Sequence, residues 1–308
     1  MALERYVKIG IEPSFGAGTT TAGILVTSTR DNPDRGILQD ETIDDFLPKK
    51  AYGGPLKLAG TLEGNFRPDQ MAPILEAVCG IKTPQTVPDR DEYTLGVPKS
   101  LEIEIGEETG TGLNRHTDFI GCGVKEISFS GEAKDFLKFS AEWIAKNFSD
   151  GSFAAPTYVA EDPVVVYNTA LKIDAVKVAE VKAFECKMTR PLDEENYVID
   201  DFTLHDLMLS GLSEITGSIT LTEKEYDELK RANYGAVSNT AIDANNTIDE
   251  FALSIHCTDM SGADKFEINM PVTVMTDSAR SISGRDSIEK SVNFKATSSA
   301  GIMFKIFT

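Results

Sequence analysis

The chain has few of the residues on which catalysis and metal binding depend. Its 308 residues include four cysteines, three histidines and one tryptophan. The cysteines form no C-x-x-C pair, which argues against a zinc knuckle or a disulfide framework and favours buried free thiols. They are Cys79, Cys122, Cys186 and Cys257. Because the histidines show neither H-x-x-x-H nor H-E-x-x-H spacing, we expect no metal ion.

Signatures of nucleotide binding and nucleophilic catalysis are also missing. The glycine-rich run Gly16–Thr20 lacks the lysine that follows the second glycine of a P-loop, and no G-x-G-x-x-G occurs. There is no G-x-S-x-G elbow, which would present a catalytic serine. We therefore expect no cofactor and no enzymatic activity.

Positive charge and long apolar runs are scarce. The 30 basic residues face 49 acidic ones, and the net charge of −19 repels phosphate. This balance argues against gripping nucleic acid or anionic lipid, although an acidic surface also serves solubility alone. No run of about 18 apolar residues occurs, and the amino terminus lacks the apolar core of a secretory signal. We expect a soluble protein without membrane contact.

The chain does contain an internal repeat. The run Ile43-Asp44-Asp45-Phe46 returns half a chain later as Ile199-Asp200-Asp201-Phe202. Further matches follow in the same order: Gly60-Thr61-Leu62 with Gly217-Ser218-Ile219, Gly80 with Gly235, and Phe139-Ser140-Ala141 with Phe294-Lys295-Ala296. This order predicts a tandem duplication, with one unit at residues 1–155 and a second at residues 156–308.

Each unit is predicted to hold one short helix. In the first, apolar residues recur at helical spacing from Met71 to Cys79, with Asp69 as the cap and Gly80 as the left-handed stop. In the second, Thr222–Glu225 reads as a capping box for a helix that ends at Gly235.

The rest of each unit has the alternation of antiparallel strands. Leu101, Ile103 and Ile105 alternate with polar residues, and Trp143 falls on the apolar face of a later strand. Strands are also predicted at residues 24–27 and 58–62, with a turn at residues 31–34. Residues 10–21 and 106–118 have the composition of an extended arm and a long hairpin loop. The fold class is therefore mainly β.

The order of these features resembles the major tail tube proteins of tailed phages and head-tailed viruses. The resemblance runs through Leu58–Phe66, Gly121–Ser130, Phe139–Trp143, Met270–Val274, Ile282–Asp286 and Val292–Ala296, after the Gly/Thr-rich arm. It implies two tandem β-sandwich or barrel modules, each with one flanking helix.

The resemblance also implies a structural virion protein, made in the host cytoplasm and located in the viral tail. Rings of this chain would stack into a hollow conduit through which viral DNA passes without specific binding. Two modules in one chain favour three copies per ring, with six as the alternative. The other partners implied are the tape measure, terminator and baseplate proteins.

The implied stacking of rings suggests candidate assembly sites, because stacked rings need protruding segments. The arm, residues 1–21, and the loop at 106–118 are the candidates. Their residues are Phe15, Thr19, Thr20, Glu107, Glu108, Thr111, Asn114 and Arg115. Glu102 and Glu104, on the polar side of a strand, are candidates for an acidic channel wall, with an ordinary outer surface as the alternative.

Two other functions fit a β-rich chain without catalytic residues. A baseplate hub or tail terminator would form one ring and stop. A carbohydrate-binding β-sandwich would usually expose a cluster of aromatic side chains or hold a complete calcium loop, and the sequence shows neither.

Overall fold

A computed structural model describes residues 4–19, 21–40, 50–108, 115–151, 155–178, 181–222, 227–234, 236–238, 241, 248–259, 261–281, 289–298 and 301–307. These residues are mostly β, with two short helices, so the predicted fold class is confirmed. None of the helices in this part of the chain has the length and apolarity needed to cross a membrane.

The elements follow one another in two similar series. The first series is β1 Glu4–Ile11, β2 Ala22–Ile24, β3 Ser28–Asp40, β4 Lys50–Asn65, α1 Pro68–Cys79, β5 Gly80–Thr86, β6 Asp89–Leu95, β7 Leu101–Glu108, β8 Arg115–Glu132, β9 Lys138–Ala145 and β10 Asn147–Asp150. The second is β11 Ala170–Ile173, β12 Val176–Lys177, β13 Val181–Thr189, β14 Glu214–Thr222, α2 Asp227–Tyr234, β15 Phe251–Thr258, β16 Asp264–Ser281, β17 Glu289–Ala296 and β18 Met303–Phe307.

Helix α1 begins two residues earlier than its predicted cap implies. Arg67 occupies the cap position and Pro68 the first turn, so Asp69 lies inside the helix and does not cap it. Proline suits the first helical position because its N–H would have no partner there. Pro73 then interrupts one hydrogen bond in the interior, while an almost fully buried apolar face holds the helix in place. Gly80 ends it at φ 91°, as predicted.

Helix α2 spans Asp227–Tyr234, so it ends directly before Gly235. Of the predicted capping box, Thr222 is the last residue of β14, and Glu223–Glu225 lie outside the described residues, as does Gly235.

The turn predicted at residues 31–34 is wrong, because these residues lie within strand β3. Asp31 pairs with Gly60 and Pro33 with Leu58. Proline and acids are turn residues by composition, but they are also tolerated on a strand at the edge of a sheet. β4 is the one strand partner of β3 in the described part of the chain. The strand predicted at residues 24–27 ends at Ile24.

The same pairing order occurs twice, and all of these pairs are antiparallel. In the first series the strands pair as β2–β1–β7–β8–β10 and β3–β4–β9–β8. In the second they pair as β12–β11–β15–β16–β18 and β13–β14–β17–β16. Hence β8 and β16 each run through two sheets, and β3 corresponds to β13.

Two register shifts of the first series have counterparts at the same places in the second. The β7–β8 register shifts after the pair Leu101–Cys122, and the β15–β16 register shifts after Phe251–Thr273. Beside the first shift, the Cys122 thiol donates a hydrogen bond to the carbonyl of Phe119, at 3.3 Å. Beside the second, the Thr273 hydroxyl donates to the carbonyl of Met270, also at 3.3 Å. Two different side chains thus make the same local contact.

Another register shift, found in both the β8–β9 and the β16–β17 pairing, corrects one match in the repeat. In β8–β9 it follows the pair Val124–Trp143, and in β16–β17 it follows Met275–Phe294. Phe294 therefore stands at the place of Trp143 and not of Phe139, because β-bulges change the sequence offset. The aromatic ring crosses a glycine in both cases, Gly60 beneath Trp143 and Gly217 beneath Phe294.

The two series are joined through one shared sheet and one core. Strand β8 pairs with β13, which produces the order β3–β4–β9–β8–β13–β14–β17–β16, here named the continuous sheet. The hairpin β5–β6 pairs with β18 through β6 and lies outside the continuous sheet. Phe66 and Phe129 from the first series contact Phe266 at ring centroid distances of 4.3 and 5.2 Å. The four cysteines are buried and free, as predicted.

Candidate assembly and channel surfaces

The continuous sheet has one apolar and one polar face. On β14, Ile215, Ile219 and Leu221 are buried, and the alternate residues on the opposite side are polar. The same alternation occurs on its neighbours, because successive side chains of a strand point to opposite faces. The polar face so defined includes Asn65, Glu126, Ser128, Ser130, Lys138, Ser140, Glu142, Glu185, Lys187, Thr216, Ser218, Thr220, Asn293 and Lys295.

Lysines on the polar face stand beside carboxylates. Lys187 pairs with Glu126 at 2.7 Å and Lys295 pairs with Glu214 at 2.9 Å. Lys125, in the bulge of β8, lies 3.5 Å from Glu142. Phosphate groups bind proteins largely through unopposed Lys and Arg, so this pairing lowers the affinity of the face for phosphate.

The segment between β13 and β14 folds back over one end of the polar face. Leu192 and Leu204 form a small apolar cluster with Ile144, against which Phe15 and Leu207 pack. In the repeated run, the carbonyl of Phe202 accepts a hydrogen bond from the N–H of Leu56 at 2.9 Å, while the Ile199 side chain is fully exposed. Ile43–Phe46, the first copy of the run, lies outside the described residues. Both copies occur in the connection between corresponding strands.

A buried carboxylate holds the described part of the arm against the first series. The Glu12 side chain is 5% exposed and accepts backbone hydrogen bonds from Gly16 at 2.8 Å, Gly18 at 3.3 Å and Gly121 at 2.9 Å. Three N–H groups on one carboxylate fix the turn at residues 12–18 of the arm, since such charge-assisted bonds are stronger than neutral ones.

Glu102 and Glu104 lie under the arm. Each is 9% exposed; the backbone N–H of Thr19 donates to Glu102, and the Thr21 hydroxyl donates to Glu104. Lys8 makes an ion pair with Glu104. Burial raises the pKa of Glu102, and the hydrogen bond from Thr19 opposes that rise. In the single chain both carboxylates therefore hold the arm, and their place in a channel wall stays a prediction.

His116 completes a network beside Glu104. Its Nδ1 lies 2.6 Å from the Tyr6 hydroxyl and its Nε2 lies 2.5 Å from Asp118. Glu104, His116 and Asp118 are metal-ligand residue types within reach of one another. The Tyr6 hydroxyl engages Nδ1 of His116, and the ammonium of Lys8 already supplies positive charge to Glu104, so we interpret the group as a buried polar network around an ion pair.

Comparison with known protein families decides the class of this molecule. The family described as phage tail tube protein matches residues 3–296. The chain belongs to the phage tail tube family. A comparison with curated proteins finds no match. As a tail tube protein the chain is a structural component of the virion tail, which agrees with the resemblance seen in its sequence.

The candidate stacking residues of this tail tube protein lie in several places. Phe15 packs beneath Lys146, whose Nζ is 5.0 Å from the ring. Glu107 pairs with Arg5 at 2.6 Å, and Arg115 is exposed at the start of β8. Thr20, Thr111 and Asn114 lie outside the described residues, as does the side chain of Glu108. The structure thus joins the arm to Glu102 and Glu104 and, through Arg5, to Glu107.

Sequence reasoning missed the polar face as a channel candidate. Its signal was present in Glu126–Glu132 and Glu214–Thr222, where Ser, Thr and Glu alternate with apolar residues. Nothing in one strand reveals that eight such strands share a sheet.

Proposed function

We propose that this tail tube chain consists of two modules, residues 1–155 and 156–308, that together form part of a ring. The recurring pairing order and the matched β-bulges support this division. The boundary falls between the end of β10 at Asp150 and the start of β11 at Ala170.

We propose three copies per ring. The junction inside the chain is head to tail: the end of β8 in one series pairs with the edge of β13 in the next. A heterologous contact of this kind closes into a ring when its rotation fits. Three chains with two modules each would supply six units, and six chains remain the alternative.

We propose that the polar face of the continuous sheet lines a channel for viral DNA. Short Ser, Thr and Asn side chains and ion-paired lysines make a smooth wall with weak affinity for phosphate. The single observation that carries this proposal is the continuity of eight strands across both series.

Ring stacking needs segments that reach the next ring, and the β3–β4 hairpin extends beyond the neighbouring strands. Ile37 and Tyr52 on it are 66% and 53% exposed. Exposed apolar groups on a projecting hairpin suit a contact with another subunit. We propose this hairpin, together with the arm and the loop at 106–118, as the stacking elements.

Negative-stain electron microscopy of the purified chain at rising concentration tests the function. Hollow stacked tubes are expected. Isolated rings that never stack would favour a hub or terminator, and a protein that stays monomeric at all concentrations would contradict ring formation.

A further inference from the structure

Corresponding strands β3 and β13 differ in what covers their outer edge. β13 is held between β14 and β8 of the same chain. At β3, that outer edge has no strand partner among the described residues. The C-terminal half of β16, which corresponds to the half of β8 that covers β13, likewise pairs only with β17 in the described structure. One chain therefore carries one filled junction and the two halves of another.

We propose that the edge of β3 in one copy pairs with the C-terminal half of β16 in a second copy, antiparallel and in the register of the β8–β13 junction. The occupant of this edge is thus a second copy of the same chain. The inference rests on the proposed ring and specifies its contact residue by residue.

The register follows from the pairs already present. Glu126 lies opposite Thr189 in the β8–β13 junction. Asp277 corresponds to Glu126, since each is the first paired residue after the register shift in β16–β17 or β8–β9. Asp34 corresponds to Thr189, because their partners Lys57 and Glu214 stand three residues before Gly60 and Gly217.

Asp277 of one copy is therefore placed opposite Asp34 of the next. Two residues further along, Ala279 is opposite Asn32. By the same register the backbone of Arg280 stands opposite that of Asp31.

An open groove beside β3 supports the same partner. It has a volume of about 580 Å³ and is lined by Tyr6, Ile24, Thr29, Asp31, Tyr158 and neighbouring residues of β1, β7 and β8. In the second series, residues on β8 close the corresponding space: Phe129, opposite Cys186, contacts Phe266 and Phe304 at 5.2 and 5.9 Å. Strand β8 of the first series therefore fills this space beside β13. The corresponding space beside β3 is open.

Pro33 modifies the strength of the proposed contact. The N–H of Arg190 donates a hydrogen bond to the carbonyl of Lys125 across the internal junction. The N–H of Met188, two residues earlier, points to the same side of the strand. Pro33 stands at the place of Met188 and lacks an N–H. The proposed ladder therefore has one hydrogen bond fewer, which also discourages pairing with unrelated strands.

Four double-cysteine variants of the full-length chain test the register. Asn32→Cys with Ala279→Cys and Asp34→Cys with Asp277→Cys are in register. Asn32→Cys with Asp277→Cys and Asp34→Cys with Ala279→Cys use the same positions but are displaced by two residues. Opposite Cα atoms of antiparallel strands lie about 4.5–5.5 Å apart and displaced ones about 7–8 Å, while a disulfide needs less than about 7 Å.

Any disulfide between these positions must join two molecules. The two edges lie on the first and eighth strands of the continuous sheet, seven spacings or roughly 33 Å apart along the sheet. The native cysteines are buried, so they contribute little background.

After mild oxidation, the in-register variants should give covalent species that end at three copies on a non-reducing gel, at least about tenfold more than the displaced variants. A series ending at six copies supports the register as well. Equal linking in all four variants, or no linking by the in-register pairs while microscopy shows rings, overturns the inference and leaves the ring proposal standing. Absence of any rings in the unmodified protein overturns both.

Discussion

Strands β3 and β13 occupy the same place in the two series but carry opposite chemistry. The inward positions of β13 are Phe184, Cys186 and Met188, all buried. The corresponding positions of β3 are Thr29, Asp31 and Pro33, on a largely exposed strand. The comparison teaches that this position is part of the core when its neighbour is always present in the same chain. It is polar in β3, which has one strand partner among the described residues, and a polar edge discourages aggregation.

The connections after these strands differ in a related way. β3 and β4 continue as one long hairpin, whereas the segment after β13 folds back through Leu192 and Leu204. In the second series the connection packs against the rest of the chain, and in the first series the paired ends of β3 and β4 extend beyond the neighbouring strands. Both differences leave β3 and the described part of its hairpin with β4 more exposed than their counterparts in the second series.

The largest expected effect separates the two strands directly. Phe184→Ala should lower the free energy of unfolding of the unassembled chain by about 3–5 kcal/mol, because a buried aromatic ring is lost. Thr29→Ala, at the corresponding place, should change it by less than about 0.5 kcal/mol. Urea denaturation of dilute protein measures both. Equal losses would show that β3 is already a core strand and would break the comparison.

The next effect concerns the arm, which packs on the first series. Glu12→Ala should cost about 2–3 kcal/mol, since three backbone N–H groups lose a buried charged acceptor. Hydrogen exchange at Gly16 and Gly121 should speed up. Glu107→Ala, which removes an exposed ion pair with Arg5, is the control and should cost less than about 1 kcal/mol. Unchanged exchange at both glycines would refute the anchoring role.

A smaller difference is expected between the two glycines under the aromatic rings. A Cβ at Gly217 would overlap the carbonyl of Glu185, in a strand held on both sides. A Cβ at Gly60 would overlap the carbonyl of Arg30, in a strand with one free edge. Gly217→Ala should therefore cost about 1–3 kcal/mol and Gly60→Ala less, because β3 can shift outward. Thermal unfolding of the two variants decides the order, and a costlier Gly60→Ala would mean that β3 is clamped.

The last effect is confined to one pH range and belongs to the segment between the two series. Glu161 accepts a hydrogen bond from the N–H of Asp69 at 2.9 Å. Burial, with the nearby charge of Asp69, raises its pKa from 4.5 to about 7. The folded chain binds the extra proton between these values, so this group's contribution to stability falls as pH rises from 4.5 to 7 and stays low above.

Glu161→Gln removes that dependence. Relative to the unmodified chain it should be more stable at pH 8 and nearly equal at pH 4, because glutamine resembles the protonated acid. Urea midpoints across this range provide the measurement. A difference that is the same at every pH would exclude Glu161 as the titrating group.

Local patterns predicted the strands that have their own apolar alternation. Leu101 and Ile103 marked β7, and Trp143 is buried on β9 as its register suggested. The end of α1 followed from Gly80, whose backbone can adopt a positive φ without strain.

What could not be predicted depends on distant partners. The polar composition of residues 31–34 is that of a turn, and only pairing with β4 makes it a strand. Glu102 and Glu104 read as exposed because the arm that covers them is some 80 residues away in the chain. The correspondence of Trp143 with Phe294 depends on the β-bulges, and these leave no clear signal in the sequence.

Native mass spectrometry of the smallest closed assembly tests the central claim most directly. If each module of the chain occupies one of six positions in the ring, the assembly holds three copies. A closed ring of six copies, or a chain that never assembles, would contradict this account.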